Sequence, residues 1–239
     1  CLASAVLPGV GSTSEAAEKG TAVHAFLQAC LESSRDEALE AVPREWRELC
    51  EAIPVDKLPA RDPKAYGAEM LLAWDIRANR FFSFSEDVRA TLDLSGTFTG
   101  RADVVAVAPA QRMVYIGDYK TGRGRIARAA DNWQLKALAL CAARVYGAER
   151  AQFEIVWVRE GEDPFIDSAE VGPTGLDEIE AELRARFDEI REARETGQVA
   201  LKMGDWCGYC PAISNCPAQI RLVNALASDP AAVMAEAMT

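Results

Sequence analysis

The chain has a single histidine, no internal repeat, no low-complexity tract and no apolar run approaching the ~20 residues that a membrane-spanning helix needs. It has no basic segment followed by an apolar stretch at its start, so membrane and secretory readings are disfavoured and a cytoplasmic protein is expected. Because residue 1 is Cys and not Met, the sequence is read as trimmed or processed. Positive net charge is missing too: the formal charge is -11, which argues against a nonspecific coat for polyanions, since phosphate affinity comes from clustered Lys and Arg.

What is present is enough for a substantial core, with 239 residues of which 49% are apolar, and charge that is segregated along the chain. Between Lys120 and Lys136 five cations face the single acid Asp131, whereas eight acids and four arginines fall between Thr174 and Gly197. The acidic run reads as the solvated face of a helix. Seven cysteines cannot all pair, which points to a reducing compartment. Cys30, Cys50 and Cys141 lie among apolar neighbours and read as core residues.

Ser12, Thr13 and Ser14 offer caps for a helix near 15–33 whose Ala22, Val23, Phe26, Leu27 and Cys30 form one stripe. Shorter helical pieces follow over 35–53, broken at Pro43, and then a loop marked by Pro54, Pro59 and Pro63. The segment AYGAEMLLAWDIRANRFFSF reads as two strands around a DIRANR turn. Strands over 97–108 and 112–119, rich in Val, Ile, Thr, Tyr and Phe, should pair antiparallel. Asp131 is expected to cap a helix from Asn132 to about Tyr146, closed by Gly147. A strand over AQFEIVWV, another near Phe165 to Val171 and a long amphipathic helix carrying Leu176, Ile179, Leu183, Phe187 and Ile190 complete a mixed α/β domain.

In VYIGDYKTGRGR, Asp118 and Lys120 stand two apart on a strand and so share a face. If the two central strands pair, Asp103 and Asp118 approach each other, and carboxylates meeting on a sheet repel unless a cation lies between them. Such oxygen donors suit Mg²⁺ or Mn²⁺, with Lys120 placed to orient water or offset charge developing at phosphorus. Taken singly, each group has a plainer role. His24 alone is a satisfied core or boundary residue, Asp118 with Lys120 a surface ion pair, and Gln134 a buried amide bonded to backbone. Glu69 is expected to be solvated surface, with an outer-shell carboxylate as the alternative.

GDWCGYCPAISNCPAQ supplies Cys207, Cys210 and Cys216 as a C-x2-C-x5-C run with Trp206 and Tyr209 interleaved. Three thiolates leave a tetrahedral centre one ligand short, and Cys1 completes the set if the chain ends meet. The residues leave zinc, [2Fe-2S] and [4Fe-4S] open, and Pro after Cys210 and Cys216 favours an iron-sulfur run.

In order and spacing, GTAVH (20–24), GRADVV (100–105), GDYKTGR (117–123) and NWQLKALAL (132–140) resemble the PD-(D/E)xK nuclease superfamily, in its RecB-like branch. The resemblance implies a restriction-endonuclease-like core over 12–200, with catalytic residues His24, Asp103, Asp118, Lys120 and Gln134. It places Mg²⁺ or Mn²⁺ at His24, Asp103, Asp118 and the Tyr119 carbonyl. Arg123, Arg125, Arg128 and Lys136 would bind DNA. It also implies a [4Fe-4S] cluster on Cys1, Cys207, Cys210 and Cys216 in a lobe of residues 1–11 and 201–239, closing the C-terminal part onto the N-terminus. Residues 217–239 would form a short helix and frayed end. The implied activity is exonucleolytic, on single-stranded DNA ends, in recombination, repair, phage replication or CRISPR adaptation. No G-x4-GK[ST] loop is present, so a helicase partner would be a separate chain, as would a recombinase or integrase. Many members carry Tyr four residues after the Gln, where this chain has Leu138. The alternative from another class is a noncatalytic DNA-binding or assembly module that keeps the fold and cluster as scaffold.

Overall fold

The computed structural model describes residues 7, 9, 15–59, 66–85, 88–89, 96–121, 126–204, 207–208 and 210–229. The chain divides into two compact units, Ser14–Arg184 and a second made of Cys1–Thr13 with Ala185–Thr239. No described helix is long and apolar enough to cross a membrane.

The larger unit begins with α1 (Glu15–Glu32), α2 (Arg35–Ala41) and α3 (Arg44–Glu51), the last two separated at Pro43 as the proline predicts. Ser34 caps α2 in a reciprocal capping box with Glu37. The caps expected for α1 at Ser12, Thr13 and Ser14 lie outside the described residues, as does Pro63. Then come β1 (Tyr66–Asp75), β2 (Arg80–Phe84), β3 (Thr97–Ala108) and β4 (Met113–Lys120). The polar DIRANR does form the β1–β2 turn: the Ala78 N–H donates to Asp75 Oδ1 at 2.9 Å and Asn79 takes the left-handed conformation, φ 52°. Helix α4 (Trp133–Tyr146), β5 (Arg150–Trp157), β6 (Phe165–Val171) and α5 (Pro173–Thr196) follow.

The six strands form one mixed sheet in the order β2-β1-β3-β4-β5-β6. Its pairs are antiparallel except β4 with β5. A parallel pair needs a crossover, and α4 supplies it. The stretch Ala137 to Ala143 is apolar at every position, so α4 buries most of its circumference instead of one stripe. It packs with Leu176 and Ile179 of α5 against Val114, Ile116, Phe153 and Ile155 on one sheet face. On the other face Val23, Phe26 and Leu27 of α1 meet Val104, Tyr119 and Val156, with Cys50 and Ile53 completing that cluster.

One sequence expectation changes in detail. The α4 cap is Asn132, whose Oδ1 accepts from the Leu135 N–H at 3.1 Å, because Asp131 is held one residue upstream in a short 3₁₀ turn. Leu138 is fully buried, and glycine at position 100 makes room for it: a Cβ there would lie 2.9 Å from Leu138 Cδ2. Leu138→Ala should therefore cost about 2–5 kcal/mol, a core-cavity loss read as a lowered urea midpoint with unchanged slope.

Candidate active site

Strand register brings the acidic groups together. The β3–β4 ladder runs from Ala108↔Met113 to Val104↔Gly117 and stops, and the next position in that register sets Asp103 opposite Asp118. The β1–β3 ladder runs from Tyr66↔Ala106 to Asp75↔Thr97 with one gap, between Ala68↔Val104 and Met70↔Ala102, where Glu69 stands opposite Asp103. Glu69 itself is left-handed at φ 52°, a strained conformation for a side chain of its size.

Face alternation also breaks there. A Cβ on Gly67 would lie 2.5 Å from Met70 Sδ, although residues three apart on a regular strand face opposite ways. On β3, Ala102 and Val105 join the cluster beneath α4 while Val104 joins that beneath α1. The sheet thus changes phase at Glu69 and Asp103, and the carboxylates emerge where it does.

Around this break the polar contacts are specific. Asp103 Oδ2 accepts the Tyr119 backbone N–H at 2.6 Å, and its Oδ1 is 3.2 Å from His24 Nδ1. The His24 ring sits edge-on to Tyr119, 6.3 Å between centroids. Asp118, only 6% exposed, has Lys120 Nζ 2.6 Å from Oδ2 and Gln134 Nε2 3.5 Å from Oδ1. The lysine contact is an ion pair without hydrogen-bond alignment, so Oδ2 has charge compensation but no aligned donor. Glu69 Oε2 accepts from Arg101 at 3.2 Å.

The charges shift one another. Burial raises the Asp118 pKa, helped by the Asp103 charge and opposed by Lys120 and His24. Burial likewise raises Glu69, with Asp103 adding and Arg101 and His24 opposing. For His24 burial alone is the largest influence and acts downward, but the Asp103 hydrogen bond and the charges of Asp103, Glu69 and Asp118 together outweigh it, and the net shift is upward.

His24, Glu69 and Asp103 each present a donor atom within 4.8 Å of the other two, the only such set among the described residues. Imidazole nitrogen with carboxylate oxygens suits Mn²⁺ and, through the oxygens, Mg²⁺. Beside the set lies a cavity of about 450 Å³ lined by Gly20, Thr21, His24, Gln28, Glu69, Arg101 and Asp103. Glu69 is therefore not the solvated strand surface expected of it. The missing signal was the β1–β3 register, which pairs segments some thirty residues apart, and Arg101 was overlooked for the same reason.

Of the basic residues expected to meet polyanion, Arg123 and Arg125 lie outside the described residues. Arg128 reaches Asp167 Oδ1 at 3.3 Å, and the other oxygen of Asp167 accepts the Ala129 N–H at 2.7 Å. Lys136 Nζ sits 4.6 Å from the ring centroid of Trp133, a 39% exposed indole at the start of α4.

In the smaller unit Cys207, Cys210 and Cys216 are free and half-buried on a chain of tight turns, with the Cys210 N–H donating to Cys207 O at 3.1 Å. Cys216 precedes α6 (Pro217–Ser228) as its N-cap residue. Gly9 reaches this loop: a Cβ on it would fall 2.9 Å from Pro211 Cβ. Cys1, Trp206, Tyr209 and the tail 230–239 lie outside the described residues.

A mixed sheet whose ladders part at a row of carboxylates, a lysine two residues beyond one of them and a histidine on the covering helix together define a candidate metal centre. A family model of the PD-(D/E)XK nuclease superfamily matches residues 5–217, and the chain belongs to that superfamily. Members are generally nucleolytic hydrolases that use divalent metals. A solved structure titled "Crystal structure of SSO0001" is 16% identical, with 64% of this chain and 61% of that chain covered and a TM-score of 0.35. The chain thus spans less than two thirds of that structure's length. The search of curated proteins found no match.

The lone histidine gives a clean test of the site's electrostatics. In metal-free protein its ring resonances should titrate above the ordinary 6.5, and Asp103→Asn should bring the midpoint down. Because the folded value is the higher one, this group's stabilisation is complete below about pH 6.5 and is lost as pH rises through the folded midpoint.

Proposed function

We propose that the chain is a Mg²⁺- or Mn²⁺-dependent deoxyribonuclease, acting as an exonuclease on single-stranded DNA ends. One observation carries the reading: Lys120 Nζ stands 2.6 Å from buried Asp118, on the strand that also gives Asp103 a backbone donor, in a chain of the PD-(D/E)XK superfamily. His24, Asp103, Asp118 and the Tyr119 carbonyl are the groups to hold the ion. When bound it supplies Lewis-acid polarisation of the phosphodiester and a more acidic water.

The chain's own residues do the rest. His24 and the Tyr119 N–H fix the rotamer of Asp103, while Gln134 and Lys120 fix Asp118. Lys120 orients the attacking water and offsets negative charge as it develops at phosphorus. Gln134 stands at the first turn of α4, which borders the groove, and Arg123, Arg125, Arg128 and Lys136 track the phosphates. Recombination or phage replication is the preferred setting over repair or CRISPR adaptation, with any helicase, recombinase or integrase on a separate chain.

In the same reading residues 12–200 are the nuclease core. Residues 1–11 and 201–239 hold a [4Fe-4S] cluster on Cys1, Cys207, Cys210 and Cys216. The packing of Gly9 on Pro211 supports this, since it brings a residue near the chain start to the cysteine loop. The cluster's role is to staple the chain ends, not to carry electrons.

End-labelled single and double strands incubated with Mn²⁺ should be degraded by the wild type. Asp118→Ala and Lys120→Ala should each lose about 10²-fold or more of the rate. Variants as fast as wild type would reject the assignment, and blocking the 5′ or 3′ end reads out polarity. Anaerobically purified protein should be brown and contain iron; a colourless protein with stoichiometric zinc would replace the cluster with a zinc staple.

A further inference from the structure

We propose that Glu69 is a direct ligand of the divalent ion, sharing it with His24 and Asp103, and that Arg101 holds this carboxylate in position. The inference rests on reading the centre as a metal site and adds a carboxylate to those of Asp103 and Asp118.

Geometry separates the acids into two kinds. Asp118 is already engaged, by Lys120 on one oxygen and Gln134 on the other. Glu69 and Asp103, in contrast, stand opposite each other on adjacent strands with donor atoms inside 4.8 Å and His24 as the third member. Opposed like charges destabilise a strand pair. The guanidinium of Arg101 answers part of that repulsion through Glu69 Oε2, and a carboxylate's second oxygen lets one side chain serve two cations.

The backbone points the same way. A left-handed glutamate inside a strand is strained and persists only where its surroundings over-determine it. Here the strained residue is the one whose carboxylate reaches His24 and Asp103, and the adjoining ladder pairs on both sides are kept. The same residue lines the cavity beside the site, so an ion held there faces open space on the side of Gly20, Thr21 and Gln28.

The test is a Mn²⁺ titration of chelator-stripped full-length protein, with free Mn²⁺ counted by its electron paramagnetic resonance signal. Wild type should bind, Asp103→Asn should not, and Glu69→Gln should bind about tenfold or more weakly. Glu69→Gly guards against a folding failure, because glycine accepts the left-handed conformation without penalty; it should stay folded by circular dichroism and show the same weakened binding. Glu69 variants binding within twofold of wild type, with Asp103→Asn still defective, would overturn the role of Glu69 and leave the metal site standing. No Mn²⁺ binding by wild type would overturn both.

Discussion

Three carboxylates in cross-strand register, Glu69, Asp103 and Asp118, are the constraint around which the larger unit is organised. A sheet does not tolerate such a row through its own hydrogen bonds. The ladder gives way at that row: the β3–β4 pairing ends, the β1–β3 pairing skips a position, and the freed Tyr119 N–H turns to a carboxylate instead of a strand partner. Positive charge then arrives from three elements, His24 from α1, Lys120 from β4 and Arg101 from β3. The local backbone is strained at Glu69, and the apolar layers on both faces hold it in place.

Those layers explain why the helices sit where they do. The stripe of Val23, Phe26 and Leu27 docks α1 on the sheet so that His24, one residue off the stripe, faces the break. The wholly apolar middle of α4 does the same from the other side and leaves its first turn, with Gln134, near Asp118. Packing thus sets the angular position of polar residues that contribute nothing to the core.

Most of this architecture was legible in the sequence, because hydrophobic period and turn chemistry are local signals. The two strands around DIRANR, the break at Pro43 and the helix ending at Gly147 all follow from residues within a few positions of one another. The pairing of Asp118 with Lys120 was readable as well, since it depends only on alternation along one strand. Glu69 and Arg101 were not, because their meeting depends on how β1 aligns with β3 and on a conformational break that AYGAEMLL does not announce. Asn132 displaced Asp131 as the cap for a similar reason: a 3₁₀ turn one residue long in its effect shifts the helix start.

Asp167 has a consequence for the basic segment between β4 and α4. It grips Ala129 and Arg128 from β6, an edge strand of the sheet, and so anchors these two residues to an element with a neighbour on one side only. Edge strands open more readily than central ones. Arg128 and Ala129, which lead into α4, are therefore tethered to a border of the sheet, and the approach to that helix shares in whatever opening occurs there.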